Sequence, residues 1–226
     1  MRRVYYHQPN RQMQVKKESK RNIIRVIGEG KITVKPDQAK VTLGVMTEDM
    51  ELQKAQQNNA IIIDKIQKSL VALSIPEEQI QTIRYSVQPQ YDFIEGKQHF
   101  RGYQVEHLLL IMIDQMDGVG KVVDTAVNNG ANIISGISFT ISDSNYYERQ
   151  ALSAAVLDAY QKAETIANTL KVHLIGPRLI SENPTQQGGP IPYQSTALMK
   201  SDTTTPIQAG TIQISSQVTA DFEYMN

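Results

Sequence analysis

Residues 102–143, "GYQVEHLLLIMIDQMDGVGKVVDTAVNNGANIISGISFTISD", hold a strand, a helix and a second strand in one run, and their periodicities decide the fold class. The first part alternates with a period of two through Tyr103, Val105, His107 and Leu109. From Leu108 onward both faces become apolar, which predicts a central strand covered on two sides. Val119, Val122, Val123, Ala126 and Val127 then recur at helical spacing. Gly130 stands where a left-handed C-terminal cap is expected, and "NIISGISFTIS" reads as the next strand.

Working outward, "IRYSVQPQY" and the strand beginning at Gly102 flank "IEGKQH", where Gly96 supplies a turn. Upstream, Leu52, Ala55, Asn59, Ile62, Ile66, Leu70 and Leu73 form a helical stripe with one polar member, and Pro76 ends it. "IIRVIGEGKITV" (23–34) reads as a strand with Gly28 and Gly30 as a bulge or bend. "AKVTLGVMT" (39–47) alternates as another, and the turn at Pro36-Asp37 predicts a hairpin of the two. Downstream, residues 146–170 form the longest helix, its stripe running through Leu152, Ala155, Val156, Ala159, Ala163, Ile166, Ala167 and Leu170. Its many alanines permit close packing.

"VHLIGPRLISE" and "TIQISSQVTADFEY" complete the strands, the last expected at an exposed sheet edge. Between them residues 183–210, rich in Pro, Gly, Thr, Ser and Gln, predict a long polar loop or arm. The order is β-β-α-β-β-α-β-α-β-β, an α+β fold with a mostly antiparallel sheet and helices packed on it.

The chain has 226 residues, 40% of them hydrophobic, zero formal net charge and no cysteine. That length builds a real core, and the missing thiols exclude disulfides, thiol catalysis and cysteine-ligated metals. Basic residues concentrate in the lead, with Arg2, Arg3, Arg11, Lys16, Lys17, Lys20, Arg21 and Arg25 against Glu18. Residues 1–22 are expected to be a basic flexible segment and residues 23–226 one domain. The lead has no apolar run of signal-peptide length and no stretch reaches a membrane span, so a soluble, cytoplasmic protein is expected.

"GEGKITVKPDQAKVTLGV", residues 102–143, "ERQALSAAVLDAYQKAETIA" and "IQAGTIQISSQVTADFEY" together resemble the SIMPL family, also called DUF541. The resemblance runs from about Ile23 to Tyr224. Its spaced signatures are Pro36-Asp37, Asn59, Gly102-Tyr103, Gly130-Ala131-Asn132, Gly136 with Phe139, and Lys162-Ala163. The family includes YggE-like proteins linked with oxidative stress, a Brucella periplasmic antigen, and an animal protein associated with the mouse pelle-like kinase. The resemblance implies an α+β fold able to form ring-like or barrel-like oligomers, and implies no established enzymatic activity.

Each chemical candidate has a simpler reading. Gly118-Val119-Gly120-Lys121 suggests a phosphate loop, but the pattern needs glycine at 115 and a hydroxyl at 122, where Gln115 and Val122 stand. Lys121 instead points away from the valine stripe, and Asp114 or Asp117 is expected to cap the helix. His7, His99, His107 and His173 show no metal spacing. His107 is expected as a hydrogen-bonded histidine in a sheet. Asp143, Asn145 and Glu148 lack a calcium-loop pattern and suit an N-cap and first-turn acid. Ser135, Ser138 and Ser153 lack a nucleophile elbow.

No catalytic, cofactor-binding or metal residue is therefore expected. The expected function is non-enzymatic, through self-assembly as a homo-oligomer and docking of a protein partner, with a stress-related role implied by the resemblance. Nucleic-acid and membrane contacts are not expected. Two alternatives are an adaptor to anionic membrane or nucleic-acid surfaces acting through residues 1–25, and a small-ligand protein or enzyme with His107 and Tyr103 beside a pocket.

Overall fold

The computed structural model describes residues 22–184, 205 and 207–226. The basic lead through residue 21 and most of the 183–210 segment lie outside the described residues. The elements follow the expected order: β1 (Ile23–Val34), β2 (Gln38–Asp49), α1 (Leu52–Ala72), β3 (Ile80–Ile94), β4 (Lys97–Ile113), α2 (Val119–Asn128), β5 (Ile133–Thr140), α3 (Ser144–Leu170), β6 (His173–Asn183) and β7 (Ile212–Met225). Short 3-10 turns at Glu77–Gln79 and Met116–Gly118 lead into β3 and α2.

The strands form two antiparallel sheets, ordered β1-β7-β6 and β3-β4-β2-β5, which makes the fold α+β. β4 is internal, between β3 and β2, but the expected two-sided cover is corrected: α1 and α2 lie over one face, and Leu110 and Met112 on the other are half-buried. Two further strand expectations are corrected. β1 and β2 are no hairpin, because β1 pairs along its whole length with β7 while β2 lies between β4 and β5. The C-terminal strand is no edge either, since β7 sits between β1 and β6. Alternation fixes which face of a strand is covered but carries no information about which strand lies beside it.

α1 and α2 cover one face of the four-stranded sheet over Val41, Leu43, Val45, Leu109 and Ile111, all fully buried. α3 covers the three-stranded sheet with a stripe of Ala155, Ala159, Ala163 and Ala167 against Val26, Val218, Ala220 and Phe222. Gly28 and Gly30 belong to this contact rather than to a bulge, for the β1–β7 register is unbroken from Ile23 to Val34. A Cβ on Gly28 would run into the Ala155 carbonyl and stand 2.7 Å from the Ala159 Cβ, and one on Gly30 would meet the Ala151 carbonyl. Helix and strand meet backbone to backbone.

The chain passes between the sheets at Pro36-Asp37 and again near Ser142. Asp37 joins the two crossings: its carboxylate accepts from the Ser142 N–H at 2.8 Å and the Ser142 hydroxyl at 2.7 Å. Its own N–H donates to the Thr140 carbonyl at 3.2 Å. Ile141, Ala151 and Ile214, with Ile32 and Val34, fill the junction.

Replacing Gly28 by alanine is expected to lower stability by about 2–3 kcal/mol, the scale of overpacking where backbone must shift. Gly136→Ala, with nothing within 4 Å of the added methyl, should stay within about 0.5 kcal/mol of wild type. Urea denaturation followed by circular dichroism measures both.

Candidate functional site

The buried polar groups hold elements together. Asn59, fully buried on α1, donates from Nδ2 to the carbonyls of Val45 at 3.1 Å and Val105 at 3.2 Å. One amide thus bridges β2 and β4 and fixes the helix over them; its Oδ1 has no partner among the described residues. His107 faces the same layer. Its Nε2 lies 2.9 Å from the Thr82 hydroxyl, and its ring meets Tyr85 edge-on at 5.3 Å. Burial holds its pKa below the ordinary histidine value. Tyr103, four residues earlier on the strand, packs against Phe100 at 5.1 Å. His107 and Tyr103 therefore have separate partners and do not converge on a pocket.

The Gly-Val-Gly-Lys stretch is explained by packing. Lys121 is exposed and Val119, Val122 and Val123 are buried. Gly120 makes room for the returning chain, where an added Cβ would sit 2.5 Å from the Thr205 carbonyl oxygen. Asp124, one turn on, accepts from the Thr205 hydroxyl at 2.6 Å and its N–H at 3.1 Å. These bonds hold the Asp124 carboxyl below its usual pKa range. The expected aspartate cap on α2 is corrected: Gly118 occupies the N-cap without a side-chain bond. Asp114 is held by the side-chain amides of Gln38 and Gln79, each at 2.8 Å. A cleft of about 250 Å³ between this turn and the end of α1 includes Ser74, Asp114 and Lys121.

Asp143 does cap α3, accepting from the Tyr146 N–H at 3.0 Å. Ser135, Ser138 and Ser153 are exposed, with no hydrogen bond to a histidine among the described residues. Among the described residues no three His, Cys, Asp or Glu side chains converge on a metal position.

The surface is more informative. β3 and β4 outrun their sheet: β2 stops pairing with β4 at Asp49 opposite Tyr103, while β3 and β4 continue to Ile94 opposite Lys97. Residues beyond Tyr103 form a two-stranded arm, turned by Glu95 and Gly96 with φ of 51° and 79°. Its root is pinned by Arg101, which grips Glu48 at 2.6 and 3.0 Å. Gly102 fits beside Asp49 only without a side chain, since a Cβ would stand 2.8 Å from the Asp49 carbonyl oxygen. The arm displays Phe93 (74% exposed), Ile94 (55%), Tyr91 (46%) and Phe100 (41%). A second apolar ridge lies on β6, with Ile175, Leu179 and Ile180 exposed.

The free edge of β1 is closed by α3. The Glu29 N–H donates to Asp158 at 2.8 Å and Lys162 donates to the Ile27 carbonyl at 2.9 Å, the two side chains pairing at 2.7 Å. Sequence reading missed the arm. Its available signal was "YDFIEGKQHF", where apolar residues occur on both faces of a turn-centred hairpin.

The chain belongs to the SIMPL family, described as "Protein of unknown function (DUF541)", which it matches over residues 24–222. It is 27% identical over 156 residues to the 26 kDa periplasmic immunogenic protein of Brucella melitensis, a match covering 67% of this chain and 62% of that protein. It is 28% identical over 94 residues to uncharacterized protein YggE of Escherichia coli K12, covering 42% of this chain and 38% of YggE. The chain thus spans less than two thirds of these relatives. The cytoplasmic expectation is corrected here, because the Brucella melitensis and Brucella abortus relatives are named periplasmic proteins. A basic lead without an apolar run was insufficient ground for assigning a compartment. No helix among the described residues is long and apolar enough to cross a membrane.

Two outcomes follow from the buried polar groups. Asn59→Ala leaves two inward carbonyls without their donor and should cost about 2–3 kcal/mol in urea denaturation. His107 should titrate by NMR below the ordinary histidine value. Because its folded pKa is depressed, the neutral ring's contribution is present above the unfolded value and is lost as pH falls through the folded one.

Proposed function

We propose that this SIMPL-family chain is a non-enzymatic assembly module that self-associates and uses the resulting surfaces to dock protein partners. The observation that carries the reading is the β3–β4 arm. A two-stranded hairpin standing outside its sheet is marginal in water, because neither face has a layer to bury against. Here Tyr91, Phe93, Ile94 and Phe100 are presented on it, and Arg101 holds its root in place through Glu48. A positioned apolar arm gains its missing layer from another molecule. The closing of the β1 edge by Asp158 and Lys162 supports the same reading, since a protein that associates through chosen surfaces must block the others.

Under this reading a stress-related role runs through what the assembly holds or covers, and no chemical step is assigned to it. The C-terminal strand and the 183–210 segment do not carry this reading, because β7 is internal and residues 185–204 lie outside the described residues. The adaptor alternative rests on the basic lead, which also lies largely outside them.

Light scattering coupled to gel filtration, over a concentration series, is expected to give masses above the 25.4 kDa monomer. Phe93→Asp should return the mass to that of a monomer while leaving the circular dichroism unchanged. A wild-type chain that stays monomeric at the highest attainable concentration overturns the reading.

A further inference from the structure

We infer that the cleft where β6 ends beside the first turns of α3 binds a primary alkylammonium group, the head of a lysine side chain or of a small amine. The inference is independent of the self-assembly reading and starts from Ser216. Among the buried polar side chains, Asn59 donates to two carbonyls and Asp221 accepts from Arg25. Ser216 is the exception: it is 6% exposed, and its Oγ has no hydrogen-bond partner among the described residues. A hydroxyl buried in that state costs free energy that a methyl group would not.

Register shows where Ser216 points. Side chains alternate along β7, and Ile214, Val218, Ala220 and Phe222 lie on the face that α3 covers, so Ser216 lies there with them. β6 stops at Asn183 opposite Gln217, and β7 runs on past it. Beside that end is a cleft of about 380 Å³, whose lining includes Ser216, Glu182 and Glu148. Glu182 stands opposite Val218 and so shares the α3 face. Glu148 comes from α3 itself, one turn before the buried Ala151. Asn183 is turned to the other face, where its Nδ2 donates to Gln217 and Thr219, each at 3.0 Å.

The chemistry of the lining selects the guest. Carboxylates only accept hydrogen bonds, and no Lys, Arg or His of the described residues lines the cleft. Glu182 is exposed and has no side-chain partner among the described residues. An ammonium head carries three donors and no acceptor, which matches two carboxylates and one hydroxyl oxygen. Calcium or magnesium takes six or more oxygens, and among the described residues no third carboxylate or histidine joins these two. Ile214 and Pro184 give the cleft an apolar wall along which the methylenes of an alkyl chain can lie.

The isotopically labelled full chain is titrated at constant ionic strength with n-butylammonium, Nα-acetyl-lysine amide, tetramethylammonium and calcium, following the NMR amide signals of Glu182 and Ser216. The two primary amines are expected to move both signals saturably, with half-saturation on the order of millimolar. Tetramethylammonium, which has the charge but no N–H, should leave them in place. Glu182→Gln and Ser216→Ala should each weaken amine binding roughly tenfold. Ser216→Ala should also raise the urea midpoint, because it removes a hydroxyl that the fold itself does not satisfy. Tighter binding of acetyl-lysine amide than of butylammonium supports the site with a protein side chain as its source, and equal or weaker binding supports it with a small amine. Equal shifts with tetramethylammonium reduce the effect to charge and overturn the inference. Calcium binding tighter than either amine overturns it in favour of a metal site, and signals that no amine moves overturn it outright. A Ser216→Ala chain with a lowered midpoint and unchanged amine binding gives the hydroxyl a structural role and overturns it as well.

Discussion

The approach of α3 to β1 is the constraint on which the other elements depend. A 27-residue helix that buries only alanines offers little apolar area per turn, so it gains by distance instead. Dispersion falls steeply with separation, and the contact is worth having only if the backbones nearly touch. Gly28 and Gly30 allow that, and Ala151, Ala155 and Ala159 answer them at four-residue intervals. β1 must then lie flat under the helix. Its partner along its whole length is β7, from the far end of the chain.

From this the two-sheet plan follows. With β1 held under α3, the chain has to cross at Pro36-Asp37 to begin the second sheet and cross back after β5. Asp37 ties these passages by taking both Ser142 donors. The return before β7 is fixed by different means, the Thr205 clamp at Gly120 and Asp124 and the packing of Ile207 on the larger core. Glycine serves in both cases to let one backbone reach another, so Gly120 of the phosphate-loop-like stretch has a steric role, while a Cβ on Gly118 would meet nothing within 4 Å.

The elements were legible because each is a local pattern. Strand alternation, the valine stripe of α2, the alanine stripe of α3 and the cap at Asp143 depend on residues a few positions apart and appear where expected, while Val127, Ile166 and Leu170, expected on the stripes, are exposed. Pairing was not legible. Ile23 opposite Glu223 is set by packing across the whole chain, and no short-range period records it. The arm was hidden for a related reason. β3 and β4 read as ordinary strands throughout, and only the early end of β2 at Asp49 leaves their tip outside the sheet.

Asn59 and Lys162 show how polar residues divide the work between interior and rim. Asn59 takes two carbonyls that twisted strands turn toward the helix, where a hydrocarbon would leave them without donors. Lys162 does the same at the sheet's outer edge, where the alternative partner is another protein chain. The same chemistry has opposite consequences in the two places: inside it locks one copy's layers together, and at the edge it denies a second copy a place to pair.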